Sequence, residues 1–346
     1  MAYICLEDLW RARLHRLGWS SRATEQLLLH WSKATLEQYN RHVQKFQLFC
    51  EKTEVVYPCS DDRIIAAFFC DLADSSPRPK STLNVAAAAL TCLFQALAIN
   101  TPVMNECIRK LVDGLIKGGT TAPMVKTPVM PVRPFYNLFQ SWPSNMELSL
   151  RHHRLKTVCL LALVFMLRPS DIAPRACKLD PINLAAERLT FNEDNVGFQE
   201  NGQLTVHFHG IKNDYGRDGF TVTISPANDP KIDPVLTLRE YMARTAADRV
   251  RIKDKPVFIT LKRPFRVLCA KSISGVLQEA ISLAGLGGLG YSAKCFRPTG
   301  ATCAIDNNVN PDKARHIGRW QSQDVFEKHY VHTRVPGNYV DTLMQS

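Results

Sequence analysis

Residues 158–174 read VCLLALVFMLRPSDIAP. Ten apolar residues in a row, 158–167, form a stretch too short to span a bilayer, which takes about 20 residues. A run that is apolar all round and flanked by charge predicts a helix buried in a core. It ends at Arg168, and Pro169 disturbs whatever follows. An unpaired guanidinium at the end of a buried helix is costly, so Arg168 needs a partner. Asp171 or the last turn of the helix is one reading; an anionic ligand is the other.

The chain around this stretch has 346 residues and 45% hydrophobic content, enough for two domains with their own cores. No run of eighteen uncharged apolar residues occurs, so no membrane partner is expected. MAYICLEDLW at the N-terminus carries acids where a signal peptide is apolar, so secretion is not expected either. Eleven cysteines are scattered without one CxxC pair, which argues against a disulfide framework and against zinc, and for a reducing compartment. The formal net charge of +11 favours a polyanionic partner, because neutralising phosphates releases counterions.

Upstream, SKATLEQYNRHVQKFQLFCEK spaces Leu36, Tyr39, Val43, Phe46 and Phe49 along one helical face, with Ser32 or Thr35 as cap. RIIAAFFCDLA (63–73) and STLNVAAAALTCLFQALAI (81–99) read as further helices, with SSPRPK (75–80) as the turn between them. A fourth helix covers 103–116, and residues 1–30 read as a short helical lead. Residues 1–117 thus form a helical N-terminal domain. The segment 118–134, rich in Pro, Gly and Thr, reads as an interdomain linker, and 135–346 as a mixed domain. In that domain a helix at 147–166 precedes strands at 188–194, 203–212 and 219–226, the last two paired as a hairpin. Helices follow at 234–247, 271–284, 299–307, 310–317 and 322–332. The fold class is mainly α with a small antiparallel β-sheet.

Several residues carry chemistry. SAKCFRPTGAT (292–302) sets Lys294 and Arg297 three apart at a helix start, which is either a surface pair or an anion site. Lys212 lies at the tip of the proposed hairpin, in GIKNDYG. GLGGLG (285–290) follows a helix rather than a strand, so it is read as a loop and not as a dinucleotide motif. RHIGRWQSQDVFEKHYVH (315–332) concentrates His316, Arg319, Trp320, His329 and Tyr330; no HExxH or Cys–His spacing supports a metal. A tyrosine near its ordinary pKa of about 10 is a poor nucleophile at neutral pH, and surrounding cations improve it by stabilising the phenolate.

Each feature alone has a plain structural explanation; their order along the chain does not. L-R-P-S-D-I at 167–172 resembles the first arginine box of the tyrosine recombinases, the phage-integrase type. Lys212 matches that family's β-hairpin lysine. K-C-F-R-P-T-G-A-T at 294–302 resembles its second box, normally H-x-x-R, and I-G-R-W at 317–320 the box normally written L-G-H. Tyr330 then falls on the nucleophile. The resemblance covers essentially the whole chain. It implies a helical, SAM-like core-binding domain that clamps DNA together with a mixed α/β catalytic domain. It implies double-stranded DNA as the partner, assembly as a homo-oligomer (a tetramer on DNA), and no cofactor, metal or ATP. Arg168, Arg297 and Trp320 would hold the scissile phosphate, Lys212 would protonate the leaving 5′-oxygen, and Asp171 would be structural.

Two positions depart from the pattern. Lys294 stands where the family has histidine, so His329 or His316 is a candidate base in its place. Beside Trp320, Arg319 is an alternative phosphate contact, with Trp320 packing instead. The N-terminal text SSRATEQLLLHWSKATLEQYNRHVQKFQLFC resembles recombinases of eukaryotic DIRS/Ngaro retrotransposons and Crypton elements, which implies a nuclear location. The expectation is an active integrase of a mobile element. The alternatives are a DNA-binding descendant that has lost catalysis and a topoisomerase acting alone. The segment after Tyr330 is expected to dock on a neighbouring protomer.

Overall fold

The computed structural model describes residues 5–76, 79–99, 105–118, 127–173, 191–208, 219–250, 252 and 255–330, with the backbone alone at 79 and 328–330. The chain divides into two compact units, Met1–Val125 and Lys126–Ser346.

The first unit is helical: α1 (Leu6–Arg16), α2 (Ser21–Leu28), α3 (Lys33–Lys52), α4 (Asp62–Asp74), α5 (Pro79–Leu97) and α6 (Glu106–Gly118). The helical lead expected at 1–30 is two helices broken at Gly18, whose φ of 76° suits only glycine without strain. On α3, Leu36, Val43 and Phe46 are buried while Tyr39 and Phe49 pack from the margin. Ser32 is the cap, its hydroxyl accepting the Thr35 N–H at 3.1 Å. Phe46 meets Phe68 of α4 and Phe94 of α5 edge to face. Each such ring, fully buried, contributes roughly 2–3 kcal/mol of transfer free energy.

The second unit is built around one helix. After α7 (Arg133–Ser141), α8 (Leu150–Val164) is the apolar run of the sequence. It packs against α10 (Pro234–Arg249), α11 (Ala270–Leu283) and α12 (Phe296–Asp306), which buries it on every side from Leu155 to Ala162. No helix among the described residues is long and apolar enough to cross a membrane. The four-residue α9 (Pro169–Ile172) follows, then the antiparallel sheet β1 (Val196–Phe198), β2 (Leu204–Phe208) and β3 (Phe220–Ile224), in the order β1-β2-β3. Val206 lies opposite Val222, and Phe208 opposite Phe220, so the alternation on β2 points Leu204, Val206 and Phe208 into the core. A 3-10 turn at Ala293–Cys295, α13 (Pro311–Ile317) and α14 (Gln323–Tyr330) complete the unit. This is the mainly helical architecture with one small antiparallel sheet that the sequence predicts.

Three differences have physical causes. The sequence does not predict α7, because its start lies in the Pro-rich stretch read as linker. Pro134 occupies its first turn, where a missing N–H costs nothing, and Phe135 and Phe139 bury one turn apart. Met130 is also buried, its N–H donated to the Thr299 hydroxyl at 2.9 Å, so the end of that stretch belongs to the second unit. The first strand sits at Val196–Phe198 rather than at 188–194. Asn192 accepts the Asn195 N–H through its side chain and closes a 3-10 turn where a strand was expected. Residues 188–190, and 209–212 at the end of the second predicted strand, lie outside the described residues.

Candidate active site

Where α8 ends, Met166 takes φ 52° and turns the chain so that Leu167 is buried and Arg168 becomes the cap residue of α9. Pro169 starts α9, and Asp171 folds back to accept the Arg168 N–H at 2.9 Å. This places the Asp171 carboxylate, which is buried, behind the guanidinium of Arg168 at 3.9 Å.

Arg297 comes from the first turn of α12. Its two terminal nitrogens donate to the carbonyls of Met166 at 2.5 Å and Gly318 at 2.6 Å, and it lies 3.8 Å from the same Asp171 oxygen. The approach of α12 depends on Gly300, since a Cβ there would sit 2.2 Å from the Leu163 carbonyl oxygen. Gly318 is equally constrained: a Cβ would overlap the Trp320 ring at 1.6 Å. The indole is held against Gly318, packs on Phe326 of α14 at 4.8 Å, and carries the Arg297 guanidinium 4.0 Å from its ring centre. Trp320 therefore ties α14, whose last residue is Tyr330, to the arginine of α12.

Arg319 is the third guanidinium at Asp171, at 3.6 Å, and is only 2% exposed. It donates to the carbonyls of Phe165 at 3.1 Å and Ile317 at 2.8 Å. Burial pushes its pKa down to about 10, against the pull of Asp171. Arg297 is as deeply buried, but it lines the cleft that Arg168 also lines and Arg319 does not, so the reading that made Arg319 a phosphate contact does not fit; its side chain lies beneath the cluster.

Arg168, Arg297 and Lys294 line one cleft of about 450 Å³, together with Lys271 of α11, Ser170 and Thr127. Lys271 was missed in the sequence, because an exposed lysine at a helix start carries no signal of its own. Three arginines around one carboxylate leave a local surplus of positive charge, and the cleft is where an anion would neutralise it. Lys294 is exposed on its 3-10 turn. His316 is exposed on α13 and lines a different groove, against Thr221 and Thr223 of β3. The backbones of His329 and Tyr330 close α14, while their side chains, and all of Lys212, lie outside the described residues.

Neither a protein-family model nor a curated protein matches this sequence. Solved structures do. The XerH site-specific recombinase bound to its difH substrate, in a pre-cleavage complex, is 14% identical with a TM-score of 0.56, covering 89% of this chain and 78% of that one. The Tn1549 transposon integrase in complex with transposon right end DNA is 13% identical with a TM-score of 0.55, covering 99% of both chains. A lambda integrase dimer bound to a COC′ core site is 14% identical with a TM-score of 0.51, covering 89% and 93%. The protein has the fold of the tyrosine recombinases.

Proposed function

We propose that this chain is a site-specific DNA recombinase that breaks and rejoins duplex strands through a 3′-phosphotyrosyl link at Tyr330. One observation carries the reading: Arg168 and Arg297, far apart in sequence, meet at Asp171 and line a cleft without an acidic side chain among its lining residues.

The chemistry follows from these groups. The Tyr330 phenolate attacks phosphorus, the bond from phosphorus to the 5′-oxygen breaks, and that oxygen leaves with a proton from Lys212. Negative charge grows on the non-bridging oxygens, where two guanidinium groups suit phosphate geometry. Trp320 stacks against the Arg297 guanidinium and holds it in place. Attack by the freed 5′-hydroxyl of a partner strand reverses the step, so the bond energy is conserved. The tyrosine proton passes to a base, Lys294 or His329. The partner is double-stranded DNA, bound by a homo-tetramer, and the role is integration of a mobile element of the DIRS/Ngaro or Crypton kind, in the nucleus.

Because the target sequence is open, the test uses a pool of duplexes nicked within random sequence. Denaturing gels should show a DNA-linked protein band that Tyr330→Phe abolishes, and sequencing the captured DNA should return one motif. No band from the wild type, or an undiminished band from Tyr330→Phe, overturns the proposal. Lys294 in place of histidine favours one second reading, a descendant that binds duplex without cutting it. Cleavage that appears only in Lys294→His would establish that reading instead.

A further inference from the structure

Arg319 is a cation with nothing to do on the surface and no place in the proposed chemistry, yet it is built in with care. Its backbone sits at φ 58°, a conformation that costs a non-glycine residue of the order of 1 kcal/mol or more. That conformation turns the side chain inward, beneath Asp171. The guanidinium then touches four segments at once. It donates to Phe165 at the end of α8 and to Ile317 at the end of α13, pairs with Asp171 on α9, and lies 4.1 Å from the ring centre of Phe208. Phe208 ends β2, and the connection from β2 to β3 is the stretch in which Lys212 falls.

We infer that Arg319 is a positioning residue: an internal cation that fixes Asp171, and through it Arg168 and Arg297, relative to Phe208 at the end of β2. Its planar fork is suited to this role, since one face lies on an aromatic ring while the edge donates to two carbonyls. A lysine ammonium keeps the charge but cannot span these partners. The arrangement ties the arginines that hold a phosphate to the end of β2, the strand from which the sequence runs on to Lys212. A misplacement of about 1 Å between such groups costs on the order of a hundredfold in rate.

The inference rests on the recombinase reading, and the experiment separates the two. Full-length wild type, Arg319→Met, Arg319→Lys and Phe208→Leu are compared for thermal melting, for the salt dependence of duplex binding, and for the single-turnover rate of adduct formation on DNA selected from the nicked pool. We expect the rate to fall about a hundredfold in Arg319→Met, nearly as far in Arg319→Lys, and about tenfold in Phe208→Leu. The slope of log affinity against log salt should stay at the wild-type value in all three. A true phosphate contact changes that slope by about one. A slope lowered by one in Arg319→Met makes Arg319 a phosphate ligand and overturns the inference. So do wild-type rates in the variants that fold, and so does full rescue by lysine. If Arg319→Met does not fold, Phe208→Leu, which leaves the charge in place, decides the question by its rate. No adduct from the wild type overturns the recombinase reading and this inference with it; an adduct formed equally fast by the variants overturns only the inference.

Discussion

Two of the buried polar clusters in the second unit are built on opposite principles. Around Asp171, three guanidinium groups share one carboxylate at 3.6–3.9 Å, beyond hydrogen-bond range, and the surplus charge faces a cleft. Around Lys156, every group is closed on a neighbour. The ammonium donates to the Asn145 carbonyl at 2.7 Å, and the Asn145 amide donates to Glu240 at 2.8 Å. Arg244 donates to the Asn145 and Leu148 carbonyls and to Nδ1 of His153, whose Nε2–H reaches the Thr237 carbonyl at 3.0 Å. The second cluster holds α8 to α10 and has no unmet charge to offer. The first gathers three cations on one carboxylate, and the cleft beside it is the candidate binding site.

The contrast can be broken at four places. Arg168→Ala removes the most exposed guanidinium of the cleft. It should slow adduct formation 10²- to 10³-fold, as the loss of one preorganised charge donor does, with little change in melting temperature. A loss confined to melting would put Arg168 with the structural cluster. Asp171→Asn leaves three cations facing one another in a buried space. It should cost about 3 kcal/mol in denaturant unfolding, as removing one member of a buried ion pair does. An unchanged midpoint would mean that the carbonyl contacts alone hold the arginines.

Lys156→Met tests the closed cluster. Burial pushes the Lys156 pKa down to about 8 from an ordinary 10.5. Between these values the unfolded chain holds a proton that the folded chain has released, so wild-type stability should rise with pH across that window, by at most about 2–3 kcal/mol. Lys156→Met should lack the rise and bind duplex with the wild-type salt slope. A rise that persists in the variant would assign it to another group. The smallest effect belongs to His153. Its pKa is lowered chiefly by burial, while the carbonyl of Thr237 opposes that shift. Folding therefore favours the neutral ring, and stability should fall as pH drops below about 6.5. His153→Gln should flatten this limb, as acid titration of unfolding would report.

Much of the framework is legible in the sequence because it depends on near neighbours. The helical stripe of Leu36, Val43 and Phe46, the all-round apolar α8, the Pro311 start of α13 and the turn formers after β2 announce themselves through spacing. The order of Arg168, Arg297 and Trp320 is legible as well. Helix α7 was hidden because Pro134 and the prolines before it resemble a linker, although Phe135 and Phe139 carry the helical interval. The separation of His316 from the cleft had no local signal: the direction of a side chain on α13 depends on β3, about ninety residues earlier.

Arg319 and Trp320 show the boundary between the two kinds of information. Adjacent in the chain, they are equally good candidates for a phosphate on residue type alone. The backbone turn at Arg319 sends its guanidinium beneath Asp171, while Trp320 is held against Gly318 and Arg297. The sequence by itself determined most of the helices, the hairpin strands and the identity of the charged groups, since these follow from periodicity and composition. Only the tertiary structure decided which cations line the cleft and which one lies beneath it. That choice depends on desolvation and on carbonyls more than 130 residues away in the chain.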